Sequence, residues 1–481
     1  MRSADFVTRV RYRTLGTELA RVLRLCGLLQ LPPLVVAALA GEGRQALVFA
    51  GLAAGTYLPG RLGARRGGGD LHRGEALVVS ALAYLVFACA GALALLPVAS
   101  FGSGLFETMS GYTTTGLSVL DPQALPASLL WFRAYTQWVG GAGIVVLSLV
   151  VLSWPARTMF PTYAAELADK SLAGSVVATA RLVLKVYAAL SATCVIAYVL
   201  VGMPWFDAVV HAMTTVSTGG FASHGDSIRA FPGAAVPVVV CVFMVLGATA
   251  FPLLARVRRD GPRALAADPQ LRALLGLAAI ALALPYLLGD AARADGAAGL
   301  RDRAFLALSA ITTTGFETAP VRDLGGTTLL LTTALMCIGG AAGSTAGGIK
   351  LVRCLIALSF LRDLVLRPLL PDEAKVPVRL GGAAVDDAVV RQVLGLVLLY
   401  GALLFTSTVV LTASGIAGMD ALFESASALG TVGLSCGVTS ASLGTVAKGV
   451  LAFDMWAGRL EILAVLVLLY PSTWRRATIA A

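Results

Sequence analysis

One pattern recurs four times along the chain, in FETMSGYTTTGLS (106–118), VHAMTTVSTGGFA (210–222), FLALSAITTTGFE (305–317) and FESASALGTVGLS (423–435). The four segments align on a glycine: Gly116, Gly220, Gly315 and Gly433. Each has a hydroxyl residue six positions before this glycine, Phe or Val ten positions before it, and Leu or Phe directly after it. Four segments that match at four positions are unlikely to arise by chance, even in a chain with 52 glycines. We interpret the segments as an internal repeat with a period of about 100 residues, longer than a solenoid repeat.

Each repeated segment holds a short apolar stretch followed by a polar turn. The stretch is shorter than the roughly 20 residues that cross a bilayer, which predicts a re-entrant pore helix. Irregular backbone at membrane depth is tolerated only where it is buried in protein or lines a watery cavity. Four such turns in one chain can surround one axis, where rings of carbonyl oxygens replace the hydration shell of an ion. Glycine suits such a turn because it adopts backbone dihedrals closed to other residues.

The composition requires a bilayer around most of the chain. Of 481 residues, 57% are hydrophobic and 13% are charged, against about 25% charged in a soluble domain. Apolar runs predict ten spans, near 21–40, 45–62, 76–97, 129–152, 176–201, 233–255, 271–289, 327–364 (broken), 388–414 and 445–470. A signal peptide is an alternative for the first, because basic residues precede an apolar run that ends near Ala38 and Ala40.

The net charge of +10 follows from topology. Most Lys and Arg residues fall at the two termini and in alternate loops, as Arg2, Arg65, Arg157, Lys170 and Arg475 illustrate. The positive-inside rule assigns that side to the cytoplasm, with both termini inside. The charge therefore does not indicate a nucleic-acid partner. The seven cysteines have no CxxC spacing and form no cluster with the three histidines, so no metal or redox site is predicted.

The eighth span is interrupted by GGAAGSTAGGIK (339–350). A lipid-facing helix would not keep five glycines, so we expect a broken helix and a mobile flap below the turns. A Walker motif is excluded, because Ile349 separates the last glycine from the lysine. Close helix contact through small residues is the simpler alternative. The candidate gating residues are Gly339, Gly340, Gly343, Ser344, Thr345, Gly347, Gly348 and Lys350.

The tenth span contains Arg459 in DMWAGRLEILAVL. A mid-membrane arginine costs about 2.5–3.5 kcal/mol on the most lenient scale, so it should face water or a partner. Facing the pore, it would repel cations and act with the glycine-rich segment as a gate. The alternatives are a side chain that snorkels to the interface or one that pairs with a carboxylate on a neighbouring helix.

These motifs, together with YTQWVGGAGIVVL (135–147) and GRLEILAVLVLL (458–469), resemble the TrkH branch of the Trk/Ktr/HKT potassium transporters over nearly the whole chain. The two leading spans and WVGGAGIVVL favour TrkH over KtrB, whereas the fourth turn, ALGTVGLSCG, is closer to KtrB. The fold class is thus an all-α polytopic membrane protein, with four pseudo-symmetric span–pore helix–span repeats around one pore and two N-terminal spans.

The resemblance implies a division into residues 1–75 (N-terminal spans), 76–155, 156–260, 261–385 and 386–481 (pore repeats one to four). It implies one selectivity filter, formed by Thr113, Thr114, Thr115, Gly116, Ser217, Thr218, Gly219, Gly220, Thr312, Thr313, Thr314, Gly315, Thr431, Val432 and Gly433. Potassium would bind the backbone carbonyls of Thr114, Thr115, Thr218, Gly219, Thr313, Thr314, Thr431 and Val432. Arg459 matches the pore arginine of the family.

The resemblance also implies partners. Members are homodimers in the bacterial cytoplasmic (inner) membrane, with one pore per protomer and a cytosolic TrkA/KtrA-like nucleotide-binding regulatory subunit. No organic cofactor is expected on this chain. Gly116 favours potassium, because serine at this position in the plant branch favours sodium.

Three other functions are the alternatives to a potassium pore. A sodium-permeable or cation-coupled symporter of the same fold fits the same motifs. A transporter of an organic solute would show inverted repeats and a charged midplane site, whereas these repeats run parallel. A membrane hydrolase needs a nucleophile and a base together, but His211 has no matching acid in its motif, so no enzyme is predicted.

Overall fold

The computed structural model describes residues 10–65, 69, 71–150, 176–287, 296–371, 377–381 and 383–474. Within these ranges the chain is predominantly helical, with one antiparallel hairpin formed by Arg379–Leu380 and Ala383–Ala384. The prediction of an α-helical chain with apolar, membrane-length helices is confirmed. Four of the basic residues that the sequence places on the cytoplasmic side lie outside the described residues, namely Arg2, Arg157, Lys170 and Arg475.

The described α-helices, in chain order, are numbered α1 to α19. They are Tyr12–Leu29, Leu31–Leu39, Gly43–Ala64, Arg73–Leu95, Phe101–Tyr112, Ala127–Val150, Val176–Leu200, Trp205–Val216, Ala235–Gly247, Phe251–Asp260, Arg263–Ala267, Pro269–Leu287, Gly296–Ile311, Gly326–Ile338, Leu351–Leu366, Asp387–Ala413, Gly418–Leu429, Thr445–Arg459 and Leu463–Leu469.

Four stretches are long and apolar enough to cross a membrane on their own: Tyr12–Leu39, Arg73–Leu95, Ala180–Leu200 and Asp387–Ala413. The pair α9 and α10, bent by 105° at its break, is a fifth candidate. Each of the ten predicted spans coincides with a helix or with consecutive helices in the described ranges. Besides the break predicted in the span 327–364, the chain breaks within two further predicted spans, after Gly247 and after Arg459.

Four short helices follow four of the long ones. Helices α5, α8 and α17 have 12 residues each and α13 has 16. At 1.5 Å per residue, 12 residues extend about 18 Å, well short of a hydrocarbon core of about 30 Å. The Ser100 side chain accepts a hydrogen bond from the Ser103 N–H and so caps α5. Each short helix leads into one of the four polar turns.

Small residues let the helices approach closely. A Cβ on Gly27 would lie 2.7 Å from the Ala53 carbonyl oxygen, and one on Gly60 would lie 2.4 Å from the Arg24 amide nitrogen. Helices α1 and α3 are therefore in backbone contact. In the first repeat, the Thr108 hydroxyl donates to the Ala88 carbonyl oxygen at 2.7 Å, which joins α5 to α4.

Three helix breaks are connected to one another by hydrogen bonds and an ion pair. The Ala341 N–H donates to the Ala248 carbonyl oxygen at 3.0 Å, and the Phe251 N–H donates to the Gly343 carbonyl oxygen at 3.1 Å. These bonds join the α9–α10 break to the glycine-rich segment between α14 and α15. The third break, between α18 and α19, includes Glu461 (φ 54°) and Ile462 (φ 62°), left-handed conformations that non-glycine residues rarely adopt.

Candidate ion pathway

The four polar turns share one backbone conformation. Two residues before each aligned glycine stands a threonine with positive φ, between 50° and 54°, namely Thr114, Thr218, Thr313 and Thr431. The aligned glycines have φ between 77° and 97°. Left-handed threonine is costly and persists only where the surrounding structure enforces it. The shared strain therefore marks the turns as functional candidates.

Each turn is held by the end of its own short helix. The residue before the aligned glycine donates its N–H to the carbonyl oxygen five residues earlier, at 2.7–2.9 Å in all four turns. In the first and fourth turns, the glycine N–H also donates to a serine hydroxyl, Ser110 and Ser427, at 3.0 Å. The hydroxyl residue six positions before the glycine, found in the sequence pattern, therefore acts in the turn itself.

The turns contact one another in a closed ring. A Cβ on Gly116 would lie 2.2 Å from the Gly219 carbonyl oxygen, and one on Gly220 would lie 2.1 Å from that of Thr314. A Cβ on Gly315 would lie 1.9 Å from the Val432 carbonyl oxygen. The circle closes at Gly433, whose Cβ would lie 2.1 Å from the carbonyl oxygen of Thr115. Each turn thus contacts the next one in chain order, and no side chain fits at the four glycines.

The structure brings all fifteen predicted filter residues into this ring. Every one is buried except the four aligned glycines, which remain partly exposed. The backbone at the glycines therefore borders open space. Within the described residues, the buried hydroxyls of Thr114 and Thr431 have no hydrogen-bond partner. Buried polar atoms are normally satisfied, so these two oxygens are available to a ligand.

Carboxylates tie the segments that leave the first and fourth turns. Glu107, nine residues before Gly116, accepts hydrogen bonds from the Ser118 hydroxyl at 2.9 Å and the Val119 N–H at 3.0 Å. At the same offset in the fourth repeat, Glu424 accepts bonds from the Ser435 hydroxyl, the Cys436 N–H and the Thr439 hydroxyl at 2.6, 3.0 and 2.6 Å. These hydrogen bonds were not predicted from the sequence, although the dipeptide FE at 106–107 and 423–424 places a glutamate at the same offset in both repeats.

The second and third turns use an aspartate thirteen residues before the glycine. The Ser223 hydroxyl donates to Asp207 at 2.6 Å, and the Thr318 hydroxyl donates to Asp302 at 2.8 Å. All four post-turn segments are therefore bound to a carboxylate on their own short helix.

Helix α6 supports the first two turns with residues that the sequence analysis missed. Arg133 forms a buried ion pair with Glu107, with Nε 2.7 Å from Oε1, and its guanidinium lies over the Phe221 ring, 4.2 Å from the ring centre. One turn along α6, the Gln137 amide donates to the Gly219 carbonyl oxygen at 2.6 Å and accepts from the Phe221 N–H at 3.1 Å. The hydrogen bond from Gln137 therefore fixes the orientation of the Gly219 carbonyl group.

The glycine-rich segment is packed against the ring. The Gly347 N–H donates to the Thr313 hydroxyl at 2.7 Å, and a Cβ on Gly347 would lie 2.1 Å from the Gly430 carbonyl oxygen. The Thr345 hydroxyl donates to the carbonyl oxygens of Val216 and Gly247, both at 3.0 Å. The predicted gating residues are therefore in direct contact with the second, third and fourth turns or the helices beside them.

Arg459 connects this segment to the first repeat. Its guanidinium donates to the carbonyl oxygen of Thr345 at 2.7 Å and to that of Gly140 at 3.3 Å. The side chain is 3% exposed, and none of the ion pairs among the described residues includes it. It neither snorkels to an interface nor pairs with a carboxylate, so both alternatives considered in the sequence analysis are wrong.

Two further basic residues secure the ends of the segment. Lys350 is buried and its ammonium group donates to the Ala346 carbonyl oxygen. Arg353, on the first turn of α15, pairs with Glu461 at the α18–α19 break, with 2.5 Å between nitrogen and oxygen. The sequence analysis identified Lys350 but not this ion pair. The sequence offered one signal for it: Arg353 and Glu461 carry opposite charges, and each lies within an otherwise apolar predicted span.

The chain matches known proteins over most of its length. Residues 79–279 and 291–475 match the TrkH family, described as a cation transport protein. The chain is 33% identical to the Trk system potassium uptake protein TrkH of Halomonas elongata, over 95% of this chain and 100% of that one. With the protein of the same name from Salmonella typhimurium it shares 29% identity, over 91% and 93% of the two chains. The crystal structure of the potassium transporter TrkH from Vibrio parahaemolyticus superposes with a TM-score of 0.84, at 28% identity, over 97% of this chain and 100% of that one. The chain therefore belongs to the TrkH family of cation transport proteins.

Proposed function

We propose that this chain carries potassium into the cell through one pore, formed where the four polar turns meet. The observation that carries the proposal is the closed ring: four glycines at matched offsets, each against a carbonyl of the next turn. Relatives over nearly the full chain are named potassium uptake proteins, and the match in fold is to a potassium transporter. The matched family is one of cation transport proteins, and we propose no enzymatic activity for the chain.

The ring has the chemistry that a large monovalent cation requires. Backbone carbonyl oxygens replace its hydration shell, and we assign this role to Thr114, Thr115, Thr218, Gly219, Thr313, Thr314, Thr431 and Val432. The unpartnered hydroxyls of Thr114 and Thr431 are further oxygen donors. Neutral oxygen ligands bind potassium weakly enough to let it leave.

The glycine-rich segment and Arg459 form the gate in this proposal. The segment lies directly against the third and fourth turns, and the guanidinium bonded to Thr345 adds a positive charge where a cation would leave the ring. A state with these contacts is closed, and an open state requires their loss.

The order of elements supports the division into two N-terminal spans (1–75) and four pore repeats (76–155, 156–260, 261–385 and 386–481). Each repeat consists of a long helix, a short helix, a turn and a second helical segment, which is continuous in the first repeat and broken in the other three. The basic loops favour the cytoplasmic membrane with both termini inside. The relatives are named as members of a Trk system, which supports association with regulatory components. For this chain we propose a homodimer with a TrkA/KtrA-like nucleotide-binding subunit.

Ion flux into liposomes that contain the purified chain tests the function. Wild-type protein should take up potassium or rubidium faster than sodium. Gly315→Ala should abolish uptake, because its Cβ would overlap the Val432 carbonyl, whereas Gly401→Ala, with open space around the glycine, should be unaffected. Undiminished uptake by Gly315→Ala would refute the ring as the pathway.

A sodium-permeable or cation-coupled symporter of the same fold is the alternative. The same liposomes distinguish it when sodium replaces potassium or a proton gradient is imposed. Faster uptake of sodium, or concentrative uptake driven only by the gradient, would favour the alternative.

A further inference from the structure

A carboxyl group that the proposed pore does not use is buried in helix α18. Asp454 is fully buried and lies five residues before Arg459. The Ser407 hydroxyl of α16 donates to its Oδ1 at 2.7 Å. The second oxygen, Oδ2, has no hydrogen-bond partner in the described residues. The hydroxyl of Tyr400, two turns along α16 from Ser407, is also buried and unpartnered there.

The ionisable groups on neighbouring helices are engaged elsewhere. Glu107 on α5 is paired with Arg133, and Glu424 on α17 accepts its bonds from the fourth post-turn segment. On α18 itself, Lys448 donates to Ser103 and Arg459 donates to backbone carbonyls. The hydroxyl of Tyr400 on α16 is neutral and unpartnered in the described residues, and Tyr470 beyond α19 is exposed. Among the described residues, no cation forms an ion pair with Asp454.

An ionised carboxylate is unfavourable in this position. Burying a charge without a partner costs several kcal/mol, and one hydroxyl donor offsets only a small fraction of that cost. A proton removes the charge and converts Oδ2 into a donor. An intramembrane acid of this kind is a candidate functional site by default.

We propose that Asp454 and Ser407 form a proton-binding site that controls the gate, an inference that rests on the proposed function. Release of the proton leaves a charge between α16 and α18, which favours a rearrangement that admits water or separates the two helices. Arg459 is the last residue of α18, about 7.5 Å along the axis from Asp454. A shift of α18 therefore acts on the bond between Arg459 and Thr345.

The direction of the effect follows from linkage. The conformation described here holds Asp454 in an environment that suits the neutral form, and it also holds Arg459 on the glycine-rich segment. A conformation that binds a proton more tightly gains population as the pH falls. Acid therefore favours the closed gate, and flux increases as the pH rises.

The test measures potassium flux into liposomes with the same pH on both sides, from about pH 5 to about pH 9. Wild-type flux should increase by about tenfold or more over this range. Asp454→Asn, which resembles the protonated acid, should keep the low acidic value throughout. Asp226→Asn, which changes an exposed aspartate in an outer segment, is the matched control and should keep the wild-type profile.

A second variant gives a readout that a purely structural role would not change. The Ser407 hydroxyl stabilises the ionised form, so Ser407→Ala should move the midpoint of the profile up by about one pH unit. This variant decides the question if Asp454→Asn does not fold. A flat wild-type profile, a normal profile in Asp454→Asn, or an unmoved midpoint in Ser407→Ala would overturn the proton site. Absence of any wild-type flux would instead refute the proposed function.

Discussion

At the scale of single residues, each aligned glycine is constrained both by its backbone conformation and by the neighbouring turn. Gly116 combines a φ of 97° with a neighbouring carbonyl oxygen 2.2 Å from where a Cβ would lie. Any side chain there is strained in its backbone and overlaps the second turn. The ring must therefore widen or distort to accept a substitution.

We expect Gly116→Ser to increase sodium permeation relative to potassium, because a displaced Gly219 carbonyl alters the spacing of the oxygen ligands. Reversal potentials in mixed potassium and sodium solutions measure the ratio. Gly102→Ser, on α5 with open space around the glycine, serves as the control. An unchanged ion preference in Gly116→Ser would show that Gly116 does not contribute to selectivity.

The two glutamates that tie the post-turn segments should differ in their effect on stability. Glu107→Gln leaves the buried guanidinium of Arg133 without its counter-charge, and loss of one partner of a buried pair costs roughly 3–5 kcal/mol. Glu424 has hydroxyl and backbone donors and no cation partner in the described residues, so Glu424→Gln should cost less. Thermal unfolding of the two variants in detergent compares them. Equal losses of stability would contradict the ion-pair argument.

At the scale of elements, the three helix breaks act as one assembly. The glycine-rich segment is bonded to the α9–α10 break, to the third turn and to Arg459. The ion pair between Arg353 and Glu461 joins α15 to the α18–α19 break. Movement of one break therefore changes the contacts of the other two.

We expect Arg459→Ala to raise basal potassium flux while selectivity is retained, because it removes the charge and its bond to Thr345. A deletion within 343–347 should have the same effect, since it removes the acceptor side of that contact. The combined variant should be no more active than the stronger single one, because coupled residues do not add. Single-channel recordings provide the open probabilities. Strict additivity would mean two independent barriers.

At the scale of the whole molecule, the sequence predicted the helical architecture and the composition of the ring, because both depend on local pattern. A run of about 20 apolar residues predicts a span from local sequence alone. The four matched offsets likewise place Gly116, Gly220, Gly315 and Gly433 in equivalent turns. The breaks after Gly247 and Arg459 were not predictable in the same way. The first lies in apolar sequence and the second lies beside Arg459 and Glu461, and both depend on contacts with distant segments.

The carboxylate ties illustrate the same difference. Glu107 and Glu424 share an offset, but the second and third repeats place the acid four residues earlier, so no single motif includes all four. Arg133 and Gln137 support turns that belong to other segments of the sequence. Their partners could be identified only from three-dimensional contacts.

The closed ring has a genetic consequence. In a pore assembled from four copies of one subunit, a single codon changes every side of the ring at once. Here each side is encoded separately, so one codon alters a quarter of it and the other three sides keep their original residues. Selection can therefore adjust the four sides independently. The third and fourth turns, for example, contact the glycine-rich segment at Gly347, and their residues can change to suit that contact while the other turns stay the same. In the laboratory, single, double, triple and quadruple substitutions at the four glycines form a graded series within one polypeptide.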